Sequence, residues 1–245
     1  MNKIKLMTIL SLTLTLGLLL SGCAVMDLDY ETIDIDDEKT IELGNISQLT
    51  INSVSSDITI LFENRDDILA TYKGSVRTAK KDYYPELTVS ESSRKIGIWI
   101  DYPKNSLYLN DIDTKLTIYL PESYSADLSI GSVSGDININ EATLELLDCD
   151  SVSGEIIADG INAERGKFKT VSGDITMNQF ASTNVDASTV SGDISLEIPK
   201  SYDLDLTTNT VSGDVSNKDG HSTEITEDID VDANTVSGDI TIMRY

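Results

Sequence analysis

The 245 residues carry 18 Lys and Arg against 42 Asp and Glu, which gives a net charge of −24. This excess of acid argues against nucleic acid as a partner, because contacts with phosphates need a basic face. It also argues against a protein that lies flat on an anionic lipid surface.

The first 22 residues have the pattern of a signal peptide. Lys3 and Lys5 form a short positive segment, and an uncharged, mainly apolar run follows at residues 6–20. The run is shorter than the ~20 apolar residues of a transmembrane helix, and it is typical of the apolar core of a signal peptide. The sequence Leu-Ser-Gly-Cys at 20–23 then resembles the bacterial lipobox, which implies cleavage before Cys23 and attachment of lipid to its thiol.

This pattern predicts an extracytoplasmic lipoprotein, held to a membrane by a diacylglyceryl group on Cys23 and labelled by palmitate. Several acyl chains on one residue anchor a protein stably, whereas a single chain does so only marginally. Cleavage removes two lysines and no acid, so the mature chain keeps 16 basic and 42 acidic residues, a net charge of −26. Cys149 is then left without a partner for an intramolecular disulfide. The alternative is an ordinary signal peptide with a chance cysteine.

The two segments that follow differ in character. Residues 24–45 are acidic and poor in aromatic residues, so we expect residues 23–45 to be a lipidated cysteine and a self-repelling tether. Residues 46–130 contain short apolar stretches that alternate with polar residues, such as Ile96–Ile100 and Leu116–Leu120. We expect them to form a less regular β region that caps the repeats, which occupy 131–245.

The repeat is a Val-Ser-Gly-Asp/Glu string. Its Val stands at positions 133, 152, 171, 190, 211 and 236, so the steps are 19, 19, 19, 21 and 25 residues. A weaker copy lies at 54–57, and Ser or Thr precedes every Val. Within one copy, Val171, Gly173, Ile175 and Met177 fall on one face of an alternating strand, which predicts that these four side chains point inward.

A second apolar position lies three residues before most of these valines, as Phe168 does before Val171; Thr208 is the exception. An odd offset moves a side chain to the other face of a straight strand, so the chain needs a corner between the two positions. A unit of 19 residues is too short for a β-strand, helix and second strand. The pattern therefore predicts an all-β, parallel β-solenoid with one coil per repeat, in which coils bury their apolar faces by stacking.

Stacking would also align the acidic residues of the repeat in one column, and their like charges should repel. The first explanation is that hydroxyl or backbone N–H groups at the corner donate hydrogen bonds to each carboxylate. The alternative is a row of Ca²⁺ sites, since Ca²⁺ takes six to eight oxygen ligands. The candidate ligands are Asp136, Glu155, Asp174, Asp193, Asp214 and Asp239.

Nothing in the sequence marks a catalytic site. His221, the only histidine, lies in a stretch that lengthens one repeat, and nothing in the sequence marks a nucleophile beside it. Cys149 occupies an inward position of its repeat and is expected to be a small core residue. Because the acids are spread evenly over the repeats, an enzyme such as a carbohydrate-active β-helix protein is only the minor alternative. We expect no catalytic residues and no cofactor other than the possible Ca²⁺.

At these residues the chain resembles a family of bacterial envelope proteins that are proposed adhesins. The shared features are the Thr-Val-Ser-Gly-Asp-Ile copies and the Leu-Thr-Ile-Tyr-Leu-Pro strand at 116–121, and the resemblance covers about residues 46–245. It implies a non-catalytic protein of the cell envelope, in a Gram-positive bacterium, that binds a surface partner or acts as a scaffold. The alternative that it implies is an accessory protein of envelope-stress signalling.

The lipobox leads to the first test. Changing Cys23→Ala removes the thiol that would receive lipid, so the protein should leave the membrane fraction or remain unprocessed, and labelling with radioactive palmitate should stop. A variant that fractionates and labels like the wild type would show that the segment is not a lipobox.

Overall fold

The computed structural model describes residues 29–104, 108–218 and 225–245, and in these ranges the regular structure consists of β-strands. The all-β prediction is confirmed for this part of the chain. No helix in these ranges has the length and hydropathy to cross a membrane. The signal peptide, Cys23 and His221 lie outside the described residues.

Nineteen strands are present in the described ranges. They are β1 (Glu31–Glu42), β2 (Gln48–Asn52), β3 (Asp57–Glu63), β4 (Asp67–Thr78), β5 (Glu86–Ser92), β6 (Lys95–Asp101), β7 (Leu109–Pro121), β8 (Asp127–Gly131), β9 (Ile137–Asn140), β10 (Thr143–Asp150), β11 (Ile156–Asp159), β12 (Asn162–Lys169), β13 (Ile175–Asn178), β14 (Ala181–Ser188), β15 (Ile194–Ile198), β16 (Tyr202–Asn209), β17 (Val215–Asn217), β18 (Glu227–Asn234) and β19 (Ile240–Arg244).

The strands form two sheets. Sheet A has the order β1-β4-β7-β3-β9-β11-β13-β15-β19-β17, and sheet B has the order β16-β18-β14-β12-β10-β8-β2-β6-β5. From β6 onward the chain alternates between the sheets, so one strand of sheet B and the next strand of sheet A make one coil. Coils stack through parallel pairs: Thr143 faces Asn162, and Asn162 faces Ala181. Parallel strands, one coil above another, are the arrangement that the repeat predicts.

Residues 46–130 are less separate from the repeats than the sequence suggests. β2 pairs in parallel with β8, and β3 pairs in parallel with β9, so the weak copy at 54–57 makes a full coil of the same two sheets. β6 and β7 add a further coil on its other side. Three strands, β1, β4 and β5, are antiparallel to their neighbours. They cover this end of the stack, where parallel edges would otherwise be exposed.

The predicted tether overlaps one of these strands. Glu31–Glu42 forms β1 and pairs with β4 along its whole length, from Glu31 opposite Thr78 to Glu42 opposite Asp67. Acidic composition suggested an extended linker, but Ile35 and Ile41 alternate with the acids and are buried. One apolar side is enough to hold the strand in the sheet, because Asp34, Asp36 and Glu38 on the other side are exposed to solvent. Asp37 lies on the buried side and accepts a hydrogen bond from the Leu87 N–H at 3.4 Å.

The core lies between the sheets and is filled by the inward residues of every coil. Ile175, Met177 and Phe168 are at most 1% exposed, and Cys149 is fully buried. The prediction of an inward Val is wrong: Val171 is 45% exposed. The corner falls directly after Thr170, which is buried, and the chain turns outward at Val171 and Ser172 before Gly173 returns it to the core.

Glycine is required at the corner because neighbouring coils approach through their backbones. A Cβ atom built on Gly173 would lie 2.0 Å from the carbonyl oxygen of Gly154, and one on Gly192 would lie 2.0 Å from that of Gly173. Gly154 meets Gly135 in the same way. These distances are far below any real contact, so a side chain here would push the coils apart.

The last two coils are stacked out of chain order. β18 lies between β14 and β16, and β19 lies between β15 and β17, so the C-terminal coil is inserted inside the stack. The end of the stack is therefore the coil of β16 and β17. Its inward positions explain this placement: Thr208 and Asn217 stand where the inserted coil has Ala233 and Ile242. Polar inward residues cost less free energy in the coil that has solvent on one side.

The outward Val gives a paired test. Ile194→Asp places an unpaired charge among buried side chains, since Ile194 is 1% exposed, and it should lower the free energy of unfolding by more than ~4 kcal/mol or prevent folding. Val190→Asp, on a side chain that is 45% exposed, should cost no more than ~1 kcal/mol. Denaturant unfolding of both variants measures this. Equal losses would contradict the assigned corner.

Candidate functional site: the repeated corner

Seven corners follow one another along one edge of the two sheets. In six successive coils the Ser N–H of the repeat donates to the Val carbonyl of the neighbouring coil at 2.8–3.0 Å, as Ser153 does to Val133 and Ser191 to Val171. The inserted coil keeps the pattern, because Ser237 donates to Val190 and Ser212 to Val236. Every corner thus has the same backbone geometry, and equivalent side chains form columns that run from coil to coil.

The outermost column is apolar. We call it the valine ridge; it consists of Val54, Val133, Val152, Val171, Val190, Val236 and Val211, in spatial order. Six of these side chains are 45–48% exposed, and Val211 in the end coil is 83% exposed. Strands in one sheet are ~4.8 Å apart, so neighbouring valines lie close enough to make one continuous apolar strip. Sequence reasoning missed this surface because it placed the valines in the core.

The hydroxyl that precedes each valine holds the corner together. Ser132 Oγ donates to the Gly135 carbonyl at 2.7 Å, and in the next coil the Gly154 N–H donates to Ser151 Oγ at 2.9 Å. These side chains are buried. They satisfy backbone groups that the turn removes from the sheet ladder, so their role is structural.

The acidic residues form a second column, which we call the acidic ladder: Asp57, Asp136, Glu155, Asp174, Asp193, Asp239 and Asp214. Backbone N–H groups donate to the carboxylates across the coils, from Glu155 to Asp136 at 2.9 Å and from Asp193 to Asp174 at 2.8 Å. The inserted coil continues the series, since Asp239 donates to Asp193 and Asp214 to Asp239, both at 2.8 Å. A carboxylate that accepts a backbone N–H is favoured by that bond, which offsets the repulsion between neighbouring acids.

The six predicted acidic residues thus lie in one column, with Asp239 before Asp214. Among the residues that the structure describes, no group of three or more His, Cys, Asp or Glu side chains is arranged to hold a metal ion. The hydrogen bonds correspond to the first of the two predicted explanations, in which donors from the protein satisfy the carboxylates.

Glu155 interrupts the ladder. Its side chain has one methylene more than Asp, and no hydrogen bond joins the Asp174 N–H to its carboxylate among the described contacts. Burial raises the pKa of Glu155, and the charges of Asp136 and Asp174 raise it further. Ionised Glu155 therefore opposes the stacking of its coil.

The first corner carries a cluster of hydroxyl groups that the sequence did not reveal. Ser56 stands where later coils have Gly, and its Oγ lies 2.7 Å from Thr114 Oγ1. The hydroxyl of Tyr102 lies 3.1 Å from Ser55 Oγ and 3.4 Å from Ser56 Oγ. A side chain fits at Ser56 because the coil on that side is formed by β7. This coil has no glycine corner of the repeat, so no closely approaching backbone fills the space. In the sequence, this corner differs from the later copies only in having Ser56 in place of the Gly of the repeat.

A family model described as Toastrack DUF4097 matches residues 46–245. No curated protein matches significantly.

The solved structures that are similar to this chain include two bacterial proteins. A proposed cell adhesion protein from Clostridium sporogenes is 13% identical, with a TM-score of 0.55, 87% of this chain covered and 100% of that one. A proposed adhesin from Bacteroides fragilis is 14% identical, with a TM-score of 0.48 and coverage of 87% and 97%. At 13% identity, the likeness to the protein from Clostridium sporogenes concerns the fold alone.

The raised pKa of Glu155 predicts a pH dependence. Since the folded-state pKa lies above the ordinary value of ~4.3, ionised Glu155 reduces stability at neutral pH, and this cost disappears once the group is protonated in both states. Glu155→Gln should therefore raise the melting temperature at pH 7 and leave it unchanged near pH 3. Glu164→Gln removes the same charge from an exposed site and serves as the control. Equal gains from both variants at pH 7 would show that only net charge matters.

Proposed function

The chain belongs to the Toastrack DUF4097 family, and from this premise we propose that it is a non-catalytic, adhesin-like scaffold of the bacterial cell envelope, whose valine ridge contacts a surface partner. The name of the similar protein from Clostridium sporogenes, a proposed cell adhesion protein, agrees with this class of function. The observation that carries the proposal is the exposure of the Val in every copy of the repeat.

The fold does not account for a valine at this position. The core is filled by the inward residues on both sides of the corner, such as Phe168 and Ile175, and the corner is closed by Thr170 and Gly173. Val171 leaves 45% of its surface in contact with water, so folding removes only part of its apolar surface from solvent. Isolated exposed valines are ordinary, but a contiguous apolar strip is typical of an interaction surface.

Because the same surface is repeated in successive coils, it can make many weak contacts with one partner. Each coil from Val133 onward presents the same Val, an exposed Ser and an acidic residue, so a partner with a repeating surface can engage several coils at once. Linked weak contacts raise the overall affinity without a deep pocket. The polar Ser and acidic columns beside the ridge correspond to the polar rim that surrounds the apolar centre of an interface.

The place of action follows from the proposed anchor. Lipid on Cys23 would hold the chain on the outer side of a cell membrane, which is where an adhesin-like scaffold meets its partner. The acidic surface fits this position because it keeps the protein soluble and away from anionic lipid. A Gram-positive source is part of the proposal, through the family resemblance.

Binding to isolated cell envelopes tests the function. The lipidated full chain would be placed on vesicles, and its binding to envelopes of the source bacterium would be compared for the wild type and for the combined variant Val133→Ser, Val152→Ser, Val171→Ser and Val190→Ser. All four side chains are half-exposed, so the fold should be kept. We expect a loss of binding of at least tenfold, because each truncation removes part of the apolar contact.

The matched control changes Thr176→Ala, Ser195→Ala and Thr241→Ala, which share one outward column of sheet A. This variant should bind like the wild type. The proposal fails if the ridge variant keeps full binding, or if both variants lose it equally.

A further inference from the structure

The coil of β16 and β17 ends the stack with two open edges. β16 pairs with β18 on one side and β17 pairs with β19, and within the described residues no strand pairs with the other edge of either. The opposite end of the stack is covered by the antiparallel strands β1, β4 and β5. An open edge with unpaired N–H and C=O groups is a template for pairing with another chain.

Apolar side chains are accessible at the same end. The inward residues of β16 are only half-buried, among them Leu204 and Leu206, whereas their neighbours Ile229 and Val231 in β18 are at most 3% exposed. Val215 of β17 is 46% exposed although its partner Ile240 is fully buried. The core is therefore open here, and a further layer of strands would complete its burial.

The outward side of β16 has two unlike halves. Asp203 and Asp205 point outward from its first half, and Thr207 and Asn209 point outward from its second half. All four are exposed. Antiparallel pairing of this strand with a copy of itself reverses the order, so the acidic half of one strand can face the uncharged half of the other.

We propose that this end coil binds a second copy of the chain, through antiparallel pairing of β16 with β16 about a twofold axis at Leu206. In this register Asp205 faces Thr207 of the second copy, and Asp203 faces its Asn209, so each carboxylate meets a hydroxyl or amide donor. Leu206 faces Leu206, and Leu204 faces Thr208. Sheet B becomes continuous between the copies, and the accessible leucines are covered.

The charges select this register. An axis at Asp205 would place that carboxylate directly opposite itself, and like charges directly opposite each other destabilise a strand pair. An axis at Thr207 avoids this contact but leaves the beginning of β16 without a partner strand. The axis at Leu206 is the one that uses the whole strand and brings no two acids directly opposite. Because each mature chain carries −26, association should strengthen as salt screens the long-range repulsion.

Disulfide formation tests the register. Only a residue on a twofold axis faces itself, and paired residues of antiparallel strands have Cα atoms 4.5–5.5 Å apart, which suits a disulfide. The full lipidated chain with Leu206→Cys, isolated in mild detergent and oxidised, should form a covalent dimer. Thr208→Cys alone should not, but a mixture of chains carrying Leu204→Cys and chains carrying Thr208→Cys should cross-link. Cys149 is buried and should not react.

A second measurement separates binding from folding. Thr207→Asp places an acid opposite Asp205 of the other copy in both symmetry-related contacts. It should raise the dimer dissociation constant about tenfold, measured by sedimentation of the full chain in detergent at ~150 mM salt. Thr207→Lys should lower it. Ser188→Asp adds the same charge to the same face of sheet B, away from the edge, and should leave it unchanged.

Each outcome of these experiments either supports the dimer through β16 or overturns it. Selective cross-linking at Leu206, with weaker dimers for Thr207→Asp, supports the proposal. Equal cross-linking of the Leu206→Cys and Thr208→Cys chains, a monomer at micromolar concentration, or a covalent link from Leu206→Cys to a different protein would overturn it. The last result would instead identify the edge as a docking strand for another partner.

Discussion

The close approach of backbones at the glycine column is the constraint on which the rest of the structure depends. Each corner glycine leaves no space for a Cβ atom, since the carbonyl oxygen of the neighbouring coil occupies that position 2.0–2.2 Å away. The contact is repeated from Gly135, which meets Ser56, to Gly213, which meets Gly238. Coils can therefore stack in only one register, and that register determines which side chains become neighbours.

The surface columns follow from this register. Once the glycines are aligned, the valines must lie in one exposed strip, and each acidic carboxylate lies within reach of the N–H of the next coil. The donation from Asp193 to Asp174 at 2.8 Å shows how a row of like charges can be accommodated. The same repetition that satisfies the backbone thus also produces the proposed binding surface.

Part of this architecture could be predicted from the sequence. Alternation placed Ile175 and Met177 inside correctly, and the odd offset from Phe168 indicated a corner. The alternation wrongly placed Val171 inside as well. A period of two shows which residues of a strand share a face, but it does not show at which residue the strand begins after the corner. The inserted coil was also missed: the polar Thr208 marks the end coil, but composition alone cannot show that a later segment lies deeper in the stack.

The most direct test of this account is the free energy of unfolding of Gly173→Ala, compared with Ser172→Ala at the exposed position beside it. If the glycine column sets the stacking, a single methyl group at Gly173 should cost more than ~3 kcal/mol or abolish folding, because backbone atoms must move apart. Ser172→Ala should cost no more than ~0.5 kcal/mol. A Gly173→Ala protein as stable as the wild type would contradict the account.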